Sequence, residues 1–85
     1  NGMEYYMFDC GLAMQNLVLA ASAEGLSTCI VGWFDEKAVK GVLNLPEDYR
    51  VVAFTPLGYG IEKVKPRARK KLEEIAYHNF WKKEF

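Results

Sequence analysis

At 85 residues the chain can form one small domain at most. Its 11 basic and 11 acidic side chains balance, which argues against the strong positive field that nucleic-acid and membrane-surface binders use. Hydrophobic residues make up 51% of the chain and aromatic residues 14%, more apolar surface than a core of this size easily covers. This surplus predicts a partner chain or a missing part of the same protein, and an opening residue that is Asn1 rather than Met agrees with that prediction.

Two cysteines, Cys10 and Cys29, are too few and too far apart to indicate a disulfide framework or a zinc site. The sequence contains no uninterrupted run of 18 apolar residues and does not open with a signal peptide. We therefore expect a reducing, cytoplasmic setting, with neither a membrane nor a metal as a partner.

The first predicted element is a helix from Cys10 to Glu24, with Asp9 as its N-cap. Its apolar residues lie on nearly every side, which is typical of a buried helix. Gly25 is expected to end it in a left-handed conformation, and Leu26 to fold back towards Ala21 as in a Schellman motif.

Two strands and a short helix follow. The sequence predicts a strand over Ser27–Trp33, a helix over Glu36–Leu43 capped by Asp35, and a second strand over Arg50–Leu57. Glu36 and Lys40 are spaced to pair on the outer face of the short helix. The residues predicted to face inward are Ala38, Val39, Val42 and Leu43.

A basic run occupies the predicted extended segment 61–71, before a short helix expected within 72–85. In an extended chain successive side chains point to opposite sides, so cations at every second position of the run lie on one side. A solvated basic edge is the ordinary interpretation, and it suits the lysines. The arginines are different, because a guanidinium offers planar, paired donors that match a phosphate group. The cations that share this side are Lys63, Lys65, Arg67 and Arg69.

The order and spacing of several motifs resemble the C-terminal half of the nitroreductase family of flavin enzymes. These motifs are an Asp before an alanine-rich helix with Gln-Asn-Leu, Gly-Leu-x-Thr-Cys, an acidic-capped helix, a Leu-Pro turn, Leu-Gly-Tyr, and the basic tail KPRARKKLEEI. The resemblance implies an α+β fold: a long buried helix plus antiparallel strands with a short connecting helix. Residues 1–85 would then be a single partial domain in which strands 27–33 and 50–57 are antiparallel neighbours.

The resemblance also implies a cofactor site for FMN. The backbone at Ile30, Val31 and Gly32 would run past the isoalloxazine ring, with the Gly32 N–H directed at its redox-active nitrogen. A glycine lets a ring approach the backbone closely, although by itself Gly32 could simply ease a bulge at a strand end. Arg69, or as second choice Arg67, would hold the phosphate. No side chain of this segment is expected to act as a catalytic acid or base.

The function implied by the resemblance is FMN-dependent, ping-pong hydride transfer. The donor would be a reduced nicotinamide, NADH or NADPH, and the acceptor a small nitroaromatic or a quinone. The partner would be a second copy in a homodimer or the missing N-terminal half of the fold, whose arginine- and serine-rich flavin grip is not in this sequence. The alternative is a non-catalytic oligomerisation or scaffold segment that has lost flavin binding. A nucleic-acid binder is a third hypothesis, against which the zero net charge counts.

Overall fold

The long helix α1 spans Tyr5–Ala23 in the computed structural model, which describes residues 2–84. The predicted start was wrong: the N-cap position is Glu4, and Asp9 lies inside the helix. Neither glycine nor proline occurs between Glu4 and Asp9, so nothing in the sequence stops the helix from extending back to that point.

The C-terminal end of α1 confirms the predicted Schellman motif. Gly25 has a φ of +77°, the left-handed conformation that glycine adopts without steric cost. The Gly25 N–H donates to the Ser22 carbonyl at 3.0 Å, and the Leu26 N–H donates to the Ala21 carbonyl at 2.9 Å. These two bonds turn the chain sharply into the first strand.

Strands β1 (Ser27–Thr28) and β2 (Leu57–Gly58) pair antiparallel, with Ser27 opposite Gly58 and Thr28 opposite Leu57. The predicted antiparallel arrangement is confirmed, but both strands are much shorter than predicted. Beyond β1, the only further bridge in the described residues joins Val31 and Phe54.

Thr55 and Pro56 explain why the ladder is interrupted. The Cys29 N–H donates to the Thr55 side-chain oxygen at 2.8 Å instead of to a backbone carbonyl. Pro56 has no N–H with which to continue the ladder. The two segments therefore remain adjacent, but backbone pairing is interrupted between β1 and the bridge at Val31.

Helix α2 spans Glu36–Leu43, as predicted. The Asp35 side chain accepts a hydrogen bond from the Ala38 N–H at 3.2 Å, and Asn44 ends the helix with a φ of 57°. The inward orientation predicted for its apolar face was wrong in part: Val42 is 84% exposed and Leu43 60% exposed. Val39, on the same face, is half-buried, so the described residues cover this face only in part.

The C-terminal part of the chain contains little regular structure. Residues 61–71 form neither helix nor strand, and helix α3 spans only Leu72–Ile75. After α3, the rings of Tyr77 and Trp81 pack edge to face with centroids 4.9 Å apart.

Burial is the largest departure from the sequence-based expectation. Ala21 is the only hydrophobic residue of the described chain that is buried, and Leu12 and Leu19 of α1 are more than half exposed. The prediction of a buried α1 was therefore wrong for this chain by itself. Its accessible surface is 8240 Å², against about 5,100 Å² for a compact protein of this mass. The radius of gyration is 17.5 Å, against about 12 Å. The apolar sides of α1 are thus open to another protein surface.

Substitution of Asp35 tests whether its side chain stabilises the N-terminus of α2. Asp35→Ala should lower the free energy of unfolding by about 1 kcal/mol, because the Ala38 N–H loses its acceptor. Asp35→Asn retains a side-chain oxygen and should stay within a few tenths of a kcal/mol of the wild type. Urea unfolding measures both variants, and equal losses in the two would contradict a capping role.

Candidate functional site

The backbone ledge, residues 30–32, is fixed at its centre by a pair of hydrogen bonds. The Val31 N–H donates to the Phe54 carbonyl at 2.7 Å, and the Phe54 N–H donates to the Val31 carbonyl at 3.1 Å. The Phe54 ring also packs edge to face on Phe34, with centroids 5.0 Å apart. The ledge therefore has a defined position although most of the surrounding chain is exposed.

Gly32 borders open space. A Cβ added at this position would meet no atom within 4 Å outside its immediate chain neighbours. Gly32 lies on the wall of a hollow of about 250 Å³, referred to below as the Gly32 hollow. Its other walls come from the first turn of α1 and from the segments around Phe34 and Arg50; the remaining lining residues are Glu4, Tyr6, Met7, Glu36, Val51 and Val52.

Ile30 lies on a second and larger hollow of about 590 Å³, between α1 and residues 50–54. Met14 and Leu17 of α1 line it from one side, and Val52 and Phe54 line it from the other. The walls of this hollow are mostly apolar, so it fits an apolar occupant.

The strongest polar interaction near the ledge involves Glu36, at the start of α2. Its carboxylate accepts two hydrogen bonds from the Arg50 guanidinium, Nε to Oε2 at 2.8 Å and Nη2 to Oε1 at 3.1 Å. Oε2 also accepts the Val51 backbone N–H at 3.0 Å. This set of three residues, called here the Glu36 clamp, ties α2 to the chain segment that carries Phe54.

The electrostatics of the clamp favour a charged carboxylate. The hydrogen bonds from Arg50 and then from the Val51 N–H lower the pKa of Glu36 from 4.5 to about 2. The predicted Glu36–Lys40 ion pair is confirmed, with Nζ 3.8 Å from Oε2. The same carboxylate raises the pKa of Arg50 above its usual value. Glu36 and Arg50 therefore each stabilise the charged form of the other.

The two predicted phosphate-binding arginines lie in the segment without regular structure. Arg67 and Arg69 are both exposed. The Arg69 guanidinium donates weakly, through Nη1, to the carbonyls of Arg67 at 3.5 Å and Ala68 at 3.4 Å. Neither arginine lines the Gly32 hollow or the larger hollow beside Ile30. Their role in binding the phosphate stays a prediction.

Sequence reasoning missed Arg50 as a partner of Glu36. It identified the local pair with Lys40 from helical spacing, but Arg50 follows Glu36 by 14 residues, and no local rule connects positions so far apart. The signal that could have found it is the antiparallel pairing itself. Once Val31 lies opposite Phe54, Arg50 must lie near the start of α2.

Four further findings bear on the chemistry available to residues 2–84. Trp33, next to Gly32, is 97% exposed, so its indole is open to a ligand or a partner. No three His, Cys, Asp or Glu side chains of this part of the chain are grouped to hold a metal ion. Cys10 and Cys29 are free thiols. None of the helices described is long and apolar enough to cross a bilayer.

Comparison with known proteins identifies the family. The family profile described as "Nitroreductase family" matches residues 1–59. The chloronitrobenzene nitroreductase of Comamonas testosteroni is 42% identical over 60 residues, which cover 67% of this chain and 26% of that protein. The chain therefore belongs to the nitroreductase family.

Two solved structures agree in fold. A nitroreductase family protein of Streptococcus pneumoniae TIGR4 superposes with a TM-score of 0.81 at 32% identity, covering 88% of this chain and 38% of that one. A nitroreductase family protein of Clostridium novyi NT superposes with a TM-score of 0.65 at 38% identity, covering 100% of this chain and 45% of that one. The α+β assignment as part of a nitroreductase fold is confirmed. The chain spans between 26% and 36% of the length of the curated relatives it matches.

The low pKa of Glu36 predicts that the free energy of unfolding falls at acid pH. A carboxyl group whose pKa is lower in the folded state stabilises the fold above its unfolded pKa. That contribution is lost as the pH falls from 4.5 towards 2. Urea unfolding between pH 7 and pH 2 should therefore show a steeper decline for the wild type than for Glu36→Gln. Parallel profiles for the two proteins would contradict the clamp as a charged interaction.

Proposed function

We propose that this chain supplies one part of the FMN site of a nitroreductase-type oxidoreductase. The observation that carries the proposal is the open backbone at Gly32: a main-chain N–H next to a fixed bridge, beside a hollow, with no atom near the position of a Cβ. A flat aromatic ring can approach such a backbone closely. A main-chain donor is also rigid and carries no side-chain proton that titrates. The residues present therefore fit a flavin ring.

The ledge and the arginines would have separate roles. Ile30, Val31 and Gly32 would orient the ring, and Arg69, with Arg67 as second choice, would hold the phosphate by paired guanidinium donors. The segment that carries both arginines is exposed and has no regular secondary structure, so both guanidinium groups are accessible to a phosphate. No side chain of this chain is assigned a proton transfer.

The bound FMN would supply the redox chemistry, which is hydride transfer from a reduced nicotinamide, NADH or NADPH, to an electron-poor acceptor. The names of two relatives, chloronitrobenzene nitroreductase and nitrobenzene nitroreductase, support a nitroaromatic as that acceptor. A quinone would meet the same chemical requirement. The chain's own contribution is to bind and orient the ring, and Trp33 offers an exposed aromatic face beside it.

The rest of the site would come from outside this segment. The exposed apolar sides of α1 and the apolar hollow beside Ile30 support cover by a second copy in a homodimer or by the N-terminal half of the fold. Either one would enclose the ring and add the remaining phosphate contacts. If the protein binds no flavin even with the surface that completes the site in place, the non-catalytic scaffold hypothesis takes precedence.

The Gly32 ledge is tested by matched glycine substitutions. Gly32→Ala should weaken FMN binding by roughly tenfold, because the added methyl group occupies space that the ring needs. Gly41→Ala, in α2, adds the same methyl group into open space away from the ledge and should leave FMN affinity unchanged. Quenching of flavin fluorescence gives both dissociation constants. Equal affinity in Gly32→Ala and the wild type would contradict the proposal.

The role of Arg69 is tested by comparing FMN with riboflavin, which lacks the phosphate. Arg69→Gln should weaken FMN binding by roughly tenfold and leave riboflavin binding unchanged. Lys63→Gln, at the start of the same basic run, removes one positive charge and serves as the control. An equal loss for both ligands, or an equal loss of FMN affinity in Lys63→Gln, would contradict a specific phosphate contact.

A further inference from the structure

The loop that follows the ledge is closed against residues 50–54 at both of its ends. At one end Val31 and Phe54 exchange two backbone hydrogen bonds. At the other end Glu36 accepts the Val51 N–H at 3.0 Å and the Arg50 guanidinium at 2.8 Å. Residues 32–35 span the gap between these two closures, so Gly32 lies in a short loop whose ends are both held.

The second closure depends on Glu36 alone. The Val51 N–H points at a side-chain oxygen, not at a backbone carbonyl, so a change at Glu36 removes the acceptor itself. The carboxylate lies in the first turn of α2, where the helix dipole also favours a negative charge. Glu36 and Arg50 both line the Gly32 hollow, together with Gly32 itself. The clamp is therefore one wall of the hollow that the ledge borders.

We propose that Glu36 is a positioning residue for the flavin-contacting backbone at Gly32, acting through its hydrogen bonds to Arg50 and to the Val51 N–H. This inference rests on the proposed function for its ligand, although the geometry of the clamp does not depend on that function. Glu36 does not touch the ring in this account. It holds the far end of the loop so that the Gly32 N–H keeps one direction.

Charge and hydrogen bonding make separable contributions to this role. Glu36→Gln keeps a side-chain oxygen that can accept the Val51 N–H, but it loses the negative charge that binds Arg50 in two places. Glu36→Ala removes both contributions. The protection of the Val31 N–H and the affinity for FMN should therefore both be highest in the wild type, lower in Glu36→Gln and lowest in Glu36→Ala.

Two amide protons give a readout that does not require a ligand. The Val31 N–H belongs to the bridge at the ledge, whereas the Leu26 N–H belongs to the Schellman motif at the end of α1. Hydrogen exchange of the FMN-free protein should be roughly three- to tenfold faster at Val31 in Glu36→Ala and unchanged at Leu26. Glu36→Gln should give a smaller increase at Val31.

FMN binding is then measured on the same proteins. The dissociation constant should rise in the same order, by roughly tenfold for Glu36→Ala. Glu47→Gln is the matched control, because Glu47 contacts Lys40 through its backbone carbonyl and is not part of the clamp. The double variant Glu36→Ala/Arg50→Ala should bind FMN no more weakly than Glu36→Ala alone, since the two residues act as one unit.

Three results would overturn the proposal. Equal acceleration of exchange at Val31 and Leu26 would mean general destabilisation, and unchanged exchange at Val31 would mean that Glu36 does not hold the ledge. Additive losses of FMN affinity in the double variant would mean that Glu36 and Arg50 act separately. If the wild-type protein binds no FMN, the proposed function fails, and the exchange rates alone still decide whether Glu36 holds the ledge.

Discussion

The Glu36 clamp is the interaction on which the arrangement around the ledge depends. Only one hydrophobic residue of the described chain is buried, so side-chain packing contributes little to holding α2 against the segment that carries Phe54. A carboxylate that accepts two guanidinium bonds and one backbone bond supplies that connection. Exposed ion pairs are commonly weak. The Glu36–Arg50 pair is bidentate and Glu36 also accepts a backbone donor, so the geometry is directional as well as charged. Together with the Val31–Phe54 bridge, it closes the loop that contains Gly32.

The open shape of the chain is consistent with membership of the nitroreductase family. Its surface and radius of gyration both exceed those of a compact protein of this mass, and it spans only part of the length of its relatives. The ledge and the other features of the proposed site therefore differ in kind. The ledge is already formed within this chain, whereas the apolar sides of α1 and the exposed arginines would take their final surroundings from the rest of the fold or from a second copy.

Local rules predicted the elements whose determinants are local. Asp35 as a cap, Gly25 as a helix end and the Glu36–Lys40 pair were all read from spacing and were confirmed. The lengths of the strands were not predictable in this way, because Thr55 accepts the bond that would have continued the ladder. The partnership of Glu36 with Arg50 was missed because it exists only after the antiparallel pairing has formed. The burial predicted for α1 is not found in the described residues, because a sequence pattern shows which sides of a helix are apolar and not what covers them.

A crystal structure of the protein with FMN bound would show directly whether residues 30–32 contact the flavin. We expect the isoalloxazine ring to lie against the backbone of residues 30–32, within hydrogen-bond distance of the Gly32 nitrogen, with the bonds of the Glu36 clamp intact. A ring bound elsewhere while Gly32 remains open, or a side chain of the partner filling the Gly32 hollow, would contradict it.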